Sequence, residues 1–503
     1  MTDIALATER SSIRKLLVLF AVCLTAVAMP LTFTGPAVAL PAIGHTLGGS
    51  PIALNWVTNA FMLTFGSSLM ATGSLADTYG RKRVFLIGIL SFALASLGLA
   101  AATNILWFDL MRALQGLAAA AAFSGGMASL AQEFDGPSRI RAFSFVGTSF
   151  GIGLAFGPIT SGLLIEAFGW PTIFYLVAAV ALISCGLGAF YLRESRDPEA
   201  SGLDWPGALS FTTALSLFTY GVLLAPQNGW SDGWVMCLLA AGIAIFIGFC
   251  FLQQRSRRPM LDLSLFRYPR FVGVQLLAAA PAYAFVVLLI LLPVRFIGIE
   301  GASEVMAGRL MIALSAPLLV LPIAAGFMTR LFRPATICGV GLLIAAGGLV
   351  WLSQVPAGGV TLAVLAPMAM IGIGISLPWG LMDGLAVSVV PTERAGMATG
   401  IFSTTRVAGE GIALAAVSAV LSALTSSYLS AKDTVSAAGT ADAAQSLVTG
   451  DISGAAMNVP WIDHATLIQG YASAFEVLLL ILAAITVLTA FVIFVFLGKG
   501  AEA

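Results

Sequence analysis

Charge is what this sequence has least of. Lys, Arg, Asp and Glu make up 10% of its 503 residues, against about a quarter in an ordinary soluble domain. Its 24 cations and 24 acids cancel, so there is no excess of either sign to recruit nucleic acid or a basic partner. Histidine is nearly missing: His45 and His464 are the two, and both lie outside the apolar core of the runs described below. With no metal-ligand cluster, nucleophile elbow, phosphate loop or appended soluble domain, the common patterns of membrane enzymes and receptors are excluded. The five cysteines, Cys23, Cys185, Cys237, Cys250 and Cys338, all fall in apolar runs. Lacking ligand spacing or an extracellular cluster, they read as buried free thiols.

What is abundant is apolar length. Hydrophobic residues make up 59% of the chain, and a helix needs about 20 mostly apolar residues to cross a bilayer. On that rule fourteen spans are expected, at 16–42, 53–75, 84–103, 106–130, 141–165, 170–192, 204–225, 234–253, 271–297, 305–329, 335–353, 360–389, 396–424 and 468–497. The first run is too long for a signal-peptide core and is followed by many others, so it should remain as a span. The positive-inside rule checks the count. With the N-terminus cytoplasmic, inner loops collect Arg14, Lys15, Arg81, Lys82, Arg83, Arg139, Arg141, Arg193, Arg196, Arg255, Arg257, Arg258, Arg330, Arg333, Arg394 and Lys499, while outer loops hold Lys432. One span too many or too few would invert this alternation from that point on. The segment at about 425–467, rich in Ser, Ala, Thr, Gly and Asp, reads as a flexible extracytoplasmic loop with room for a short amphipathic helix.

One inner turn carries more charge than anchoring requires. In GSLADTYGRKRV (73–84), Gly73 permits a close helix contact, Gly80 permits the turn and the cations anchor the inner face. Asp77 needs another account: neutralising a neighbouring Arg, or meeting a helix N-terminus. The run Gly-x-Leu-Ala-Asp-x-x-Gly-Arg-Lys resembles the loop 2–3 signature of the major facilitator superfamily, with Thr78 where a basic residue is common. LMRALQGLAAAA (110–121), with Arg112 and Gln115, resembles that family's span 4 signature. GIGLAFGPITSGLL (151–164) resembles its span 5 antiporter signature through Gly153, Gly157, Pro158 and Gly162, with Ser161 replacing one Gly. In physical terms, Gly153 and Gly157 allow close helix packing and Pro158 bends the span.

The three motifs in order, with the span count, resemble the fourteen-span drug:proton antiporter family. The resemblance implies an all-α integral membrane protein of the major facilitator fold, with two six-helix bundles and two inserted helices. The expected division is an N-terminal bundle at 1–192, inserted spans 7–8 with cytoplasmic linkers at 193–270, and a C-terminal bundle at 271–503 containing the 425–467 loop. It also implies that Asp77 and Arg81, with Gly73 and Gly80, form a latch holding the halves together when the outer side is open. GFMTRLFRP (326–334) echoes the first latch, with Arg330 where Asp77 stands. LTFTGPAVALP (31–41) departs from the family's span 1 pattern, since Thr32 replaces an Asp and cannot carry a proton.

A proton antiporter needs a protonatable group within the membrane, where ionisable residues are rare and functional by default. Asp109, Asp383 and Glu410 are the candidates, with Arg112 and Arg406 beside two of them. Glu410 lies about 21 Å into its span, with Arg406 four residues earlier on the same face. It is read equally as a replacement for the missing span 1 acid or as half of a static pair. Asp109 either passes protons or neutralises Arg112. Glu166, Glu300 and Glu304 read as solvated acids at the outer rim. Phe33, Asn59, Met62, Phe65, Gln115, Tyr283, Trp379 and Met382 are candidates to line a substrate site.

The expected function is export of small amphipathic compounds from the cytoplasm by alternating access in exchange for protons. The alternative is a dedicated single-metabolite transporter, exporter or importer, with altered or absent coupling. The expected partners are a small-molecule substrate, protons and lipid, with no nucleic acid and no cofactor beyond the proton gradient. A monomer in the cytoplasmic (inner) membrane, both termini cytoplasmic, completes the expectation.

Overall fold

A computed structural model of the chain describes residues 2–134, 136–196, 204–256, 259, 261, 263–356, 362–389, 395–432 and 437–498. Among the described residues all regular structure is helical. The helices are α1 (Thr2–Leu47), α2 (Pro51–Tyr79), α3 (Arg81–Ala100), α4 (Ile105–Glu133), α5 (Gly136–Phe168), α6 (Pro171–Tyr191), α7 (Trp205–Asn228) and α8 (Gly233–Arg255). After them come α9 (Pro269–Ile299), α10 (Glu304–Met328), α11 (Pro334–Ser353), α12 (Leu365–Ser388), α13 (Ala395–Lys432), α14 (Ala437–Val448), α15 (Ile452–Asn458) and α16 (His464–Gly498). Apolar length makes these helices, and short polar residues start them. Asn104 Oδ1 accepts from the Trp107 amide at 2.8 Å, and Ser50 and Asp232 cap α2 and α8 in the same way.

A helix covers each of the fourteen expected positions. Twelve are long and apolar enough to cross a membrane, and α5 makes thirteen if its two segments, bent by 42°, count as one span. The bend falls between Leu154 and Phe156, one turn before Pro158. Proline there cannot donate to the carbonyl four residues back, which frees the turn to open. The remaining helix, α2, has the length but is diluted by polar side chains. Thr58, Asn59, Ser67, Ser68 and Thr72 are all buried, so protein rather than lipid surrounds them.

The helices sort into two packed sets. In the first, α1 packs on α5 and α6, α2 on α4, and α3 on α4 and α6; in the second, α11 packs on α12 and α16, and α9 and α13 on α16. The sets meet where α5 touches α10, α2 touches α13 and α1 touches α9. α7 and α8 pair with each other, and α7 also lies against both α2 and α13. Glycines permit these approaches. A Cβ on Gly66 of α2 would lie 2.6 Å from Ala408 Cα of α13, and one on Gly308 of α10 would lie 2.7 Å from Ile159 Cα of α5.

The 425–467 segment differs from the expected loop. α13 runs on to Lys432, and α14 and α15 follow, with Thr440, Ala443, Ala444, Gln445, Ser446, Leu447 and Thr449 buried. α14 contacts α2, α7, α13 and α16, and the Asn55 side-chain amide reaches Gln445 Oε1 at 3.5 Å. Small residues, weakly apolar in sequence, let this helix nest where the sets converge. Lys432 has its backbone in α13, while its side chain lies outside the described residues, as do those of Arg139, Arg141, Arg394 and Lys499.

Candidate functional site: the seam between the two helical sets

Among the described residues Arg112 is the largest fully buried side chain. Its Nε donates to the Val57 carbonyl of α2 at 2.6 Å, and its Nη1 donates to Gln115 Oε1 at 2.6 Å. Gln115 passes the interaction on, donating to Ser96 Oγ of α3 at 2.8 Å. The guanidinium lies 4.7 Å from the centre of the Phe61 ring, a cation–π contact. Its Nη2 has no hydrogen-bond partner, and neither does the buried Oδ1 of Asp109, one turn earlier. Gln115 is thereby committed to Arg112 and Ser96, inside the first set.

Glu410 is 3% exposed, in the stretch of α13 that packs on α2. Its neighbours in sequence, Ala408 and Gly411, meet Gly66 and Met62 of α2. Arg406, one turn earlier, is the cation that acts on it and lies 5.6 Å from the Phe402 ring centre. Asp383 has its backbone in α12, and its side chain lies outside the described residues. Thr32 is fully buried and spends its hydroxyl on the Met29 carbonyl at 2.5 Å.

The lining candidates separate. Phe33, Asn59, Met62, Phe65, Trp379 and Met382 are all buried. Asn59 donates to the Asn55 carbonyl at 2.9 Å while its Oδ1 is unpartnered. Phe33 and Trp379 share a ring contact with Phe150, at 6.5 Å each. Phe65 packs on Phe61 and Phe123 instead. Tyr283 turns away from that group, its hydroxyl 2.6 Å from Thr489 Oγ1 of α16. Phe150 and Phe285 were missed, because a lone Phe in an apolar run carries no sign of what it faces.

At the turn between α2 and α3, Arg81 Nε and Nη2 both donate to Asp77 Oδ1, at 2.9 and 2.8 Å, within one turn. Arg81 also reaches Gln132 of α4 at 3.2 Å, and Arg14 pairs with Glu133. Gly80 has φ +119°, a conformation that favours glycine, and Glu194 closes over it by accepting from the Lys82 amide at 3.2 Å. Glu194, from the linker after α6, was also missed. Gly73 differs from expectation: its nearest neighbour, Ser124, would be 4.0 Å from an added Cβ, so no close approach requires glycine. Gly153 does require it, with the Val27 carbonyl 2.5 Å from such an atom. Gly157 meets Thr34 and Gly162 meets Glu304.

The outer-rim reading of Glu300 is corrected. Arg295 Nε donates to Glu300 Oε1 at 2.7 Å, with the two side chains 3% and 1% exposed. Burial pushes the Glu300 carboxyl above the usual carboxylate range, against the pull of Arg295. Arg295 also lies 5.1 Å from the Phe475 ring centre. Glu166 is exposed and Glu304 half-buried.

A family model for the Major Facilitator Superfamily matches residues 20–414. The chain is 33% identical over 409 residues to the puromycin resistance protein of Streptomyces alboniger, covering 80% of each. It is 31% identical over 399 residues to the multidrug resistance protein Stp of Mycobacterium tuberculosis, covering 78% of this chain and 73% of that one. In fold it is similar to a peptide transporter, POT, solved with alafosfalin (TM-score 0.62, 14% identity, 96% of both chains). A bacterial homolog of the human lysosomal transporter Spinster is similar too (TM-score 0.60, 16% identity, 98% of this chain and 99% of that one). Two helical sets meeting along a seam, the motif residues on α2, α4 and α5, and a family match over most of the length lead to one assignment: this chain belongs to the Major Facilitator Superfamily.

Proposed function

We propose that this transporter is a proton-coupled antiporter that exports small amphipathic compounds from the cytoplasm. The observation that carries the reading is Glu410, a carboxylate sealed at the α2–α13 contact between the two sets. An acid here is uncovered to one side or the other whenever the sets rock, which is what exchange of a proton for cargo requires. Relatives named for puromycin and multidrug resistance support the substrate range. In this reading Arg112, Asp109 and Asp383 assist proton movement, and Asp77 with Arg81 latches the inner ends when the outer side opens. The termini face the cytoplasm, the membrane is the cytoplasmic (inner) one, and the monomer is the working unit.

The test is Glu410→Gln in proteoliposomes under an imposed pH gradient. Gradient-driven counterflow should vanish while substrate equilibration down its own gradient survives. Undiminished counterflow would remove Glu410 from the mechanism. One observation favours the second reading, a dedicated single-metabolite transporter, exporter or importer, with altered or absent coupling. Thr32 stands where the span 1 pattern of the family the chain resembles has an acid, and its hydroxyl is already spent on Met29. Proton flux measured against a panel of cationic dyes and anionic metabolites separates the two.

A further inference from the structure

Four aromatic rings contact one another in series across the seam. Phe33 of α1 and Phe150 of α5 belong to the first set, with centroids 6.5 Å apart. Phe285 of α9 and Trp379 of α12 belong to the second, edge to face at 6.4 Å. Phe150 and Trp379 join the sets, stacked with an interplanar angle of 30° and centroids 6.5 Å apart. All four are at least nine-tenths buried. Tyr283, two residues before Phe285 and so on the opposite face of α9, is held by Thr489, which leaves Phe285 to face Trp379.

This contact has to break when the sets separate. Its geometric contribution beyond burial is modest, but parting it exposes two ring faces at once. A saturated or globular ligand restores the covered area without matching either ring's quadrupole. A flat aromatic ligand restores both. An inserted ring needs about 7 Å between the flanking rings, twice the ~3.5 Å carbon contact distance. The two rings are now in contact, tilted by 30° with centroids 6.5 Å apart, so the sets must part along this contact and the rings align before a flat ring can enter.

We propose that Phe150 and Trp379 form a bracket that binds planar polycyclic aromatic substrates by intercalation, with Phe33 and Phe285 supporting its outer edges. The proposal rests on the exporter reading and deepens it, by making ring planarity rather than charge alone the property selected.

Ethidium, a flat tricyclic cation, and tetraphenylphosphonium, a bulky non-planar cation of equal charge, are the probes. Binding to the purified full-length chain is measured by fluorescence for the first and by calorimetry for the second. Trp379→Leu and Phe150→Leu should each weaken ethidium binding at least tenfold and change tetraphenylphosphonium binding less than twofold. Trp379→Phe, which keeps a ring, should restore ethidium to within threefold of wild type. Parallel loss of both probes, an unchanged ethidium affinity, or a wild-type protein that binds no ethidium would each overturn the bracket. Gradient-driven efflux of tetraphenylphosphonium by the wild type judges the exporter reading separately.

Discussion

Among the described residues two arginines are buried against aromatic rings, each with an acid close in sequence, and the protein treats them differently. Arg295 closes on Glu300 at 2.7 Å, donates to the Pro356 carbonyl at 3.4 Å and lies over Phe475. Arg112 lies over Phe61 and is held by Val57 and Gln115, but its Nη2 and the nearby Asp109 Oδ1 are both left without partners. The first is a finished brace at the C-terminal end of α9. In the second, a buried donor and a buried acceptor stay open on one helix face, a cost that few buried groups carry without a reason.

The largest expected effect falls on the brace. Arg295→Met leaves Glu300 buried without its cation, and breaking such a pair from one side costs about 3–5 kcal/mol. Thermal unfolding in detergent near neutral pH should show the loss. It should shrink in acid, where Glu300 can take up a proton. A variant as stable as wild type at neutral pH would mean that this pair supports nothing, and the contrast would fail.

Arg112→Lys attacks the other side of the comparison. Lysine keeps the charge but not the planar fork, so it cannot serve Val57 and Gln115 in the same geometry. Loss of one hydrogen bond to a charged group, about 1.5–3 kcal/mol, corresponds to roughly ten- to hundredfold. That loss should appear in transport rate, measured in proteoliposomes, with a smaller shift in melting temperature than Arg295→Met gives. The reverse order would make Arg112 the structural member.

Glu300→Gln should cost less than Arg295→Met, because it removes the charge that burial disfavours. The sign with pH is set by the raised carboxyl. A group whose folded pKa lies above its unfolded value contributes stability that is complete in acid and lost as pH rises through the folded value. Wild type should therefore weaken from the ordinary carboxylate range upward, and the gap to the glutamine variant should narrow. Melting temperatures of both proteins, followed from acid to neutral pH, make the check. A widening gap would mean that the ion pair outweighs burial.

The sequence made one of these arginines readable and not the other. Arg112 and Gln115 lie in a motif, and Glu410 is conspicuous as an acid in an apolar run. Fourteen helix positions were legible because apolar length is a one-dimensional property. Pairings are not. Glu300 looked solvated because it follows a span, and its partner Arg295 lies against Phe475, far along the chain. The 425–467 segment read as a flexible loop with room for a short helix because Ala, Ser and Thr are compatible with both, and only the position of α14 against α2, α7 and α13 decides. Phe150 and Phe285 were indistinguishable from other core phenylalanines until the two sets were brought together. Gly73 shows the opposite failure, a motif glycine for which the fold supplies no close neighbour.

The smallest expected effect is also the sharpest test of the contrast. Asp109→Asn keeps the size of the side chain and substitutes an amide that can donate as well as accept. Since Oδ1 holds no hydrogen bond to lose, the melting temperature should move little, within the change typical of a benign substitution, about 0.5 kcal/mol. If Asp109 assists Arg112 in moving protons, the variant should still equilibrate substrate while its counterflow responds less to the imposed pH gradient. If it only neutralises Arg112, the gradient response should stay and stability should fall instead. A fall in stability comparable to that of Glu300→Gln would show Asp109 and Arg112 to be a brace of the same kind as the pair of Arg295 and Glu300, drawn slightly apart.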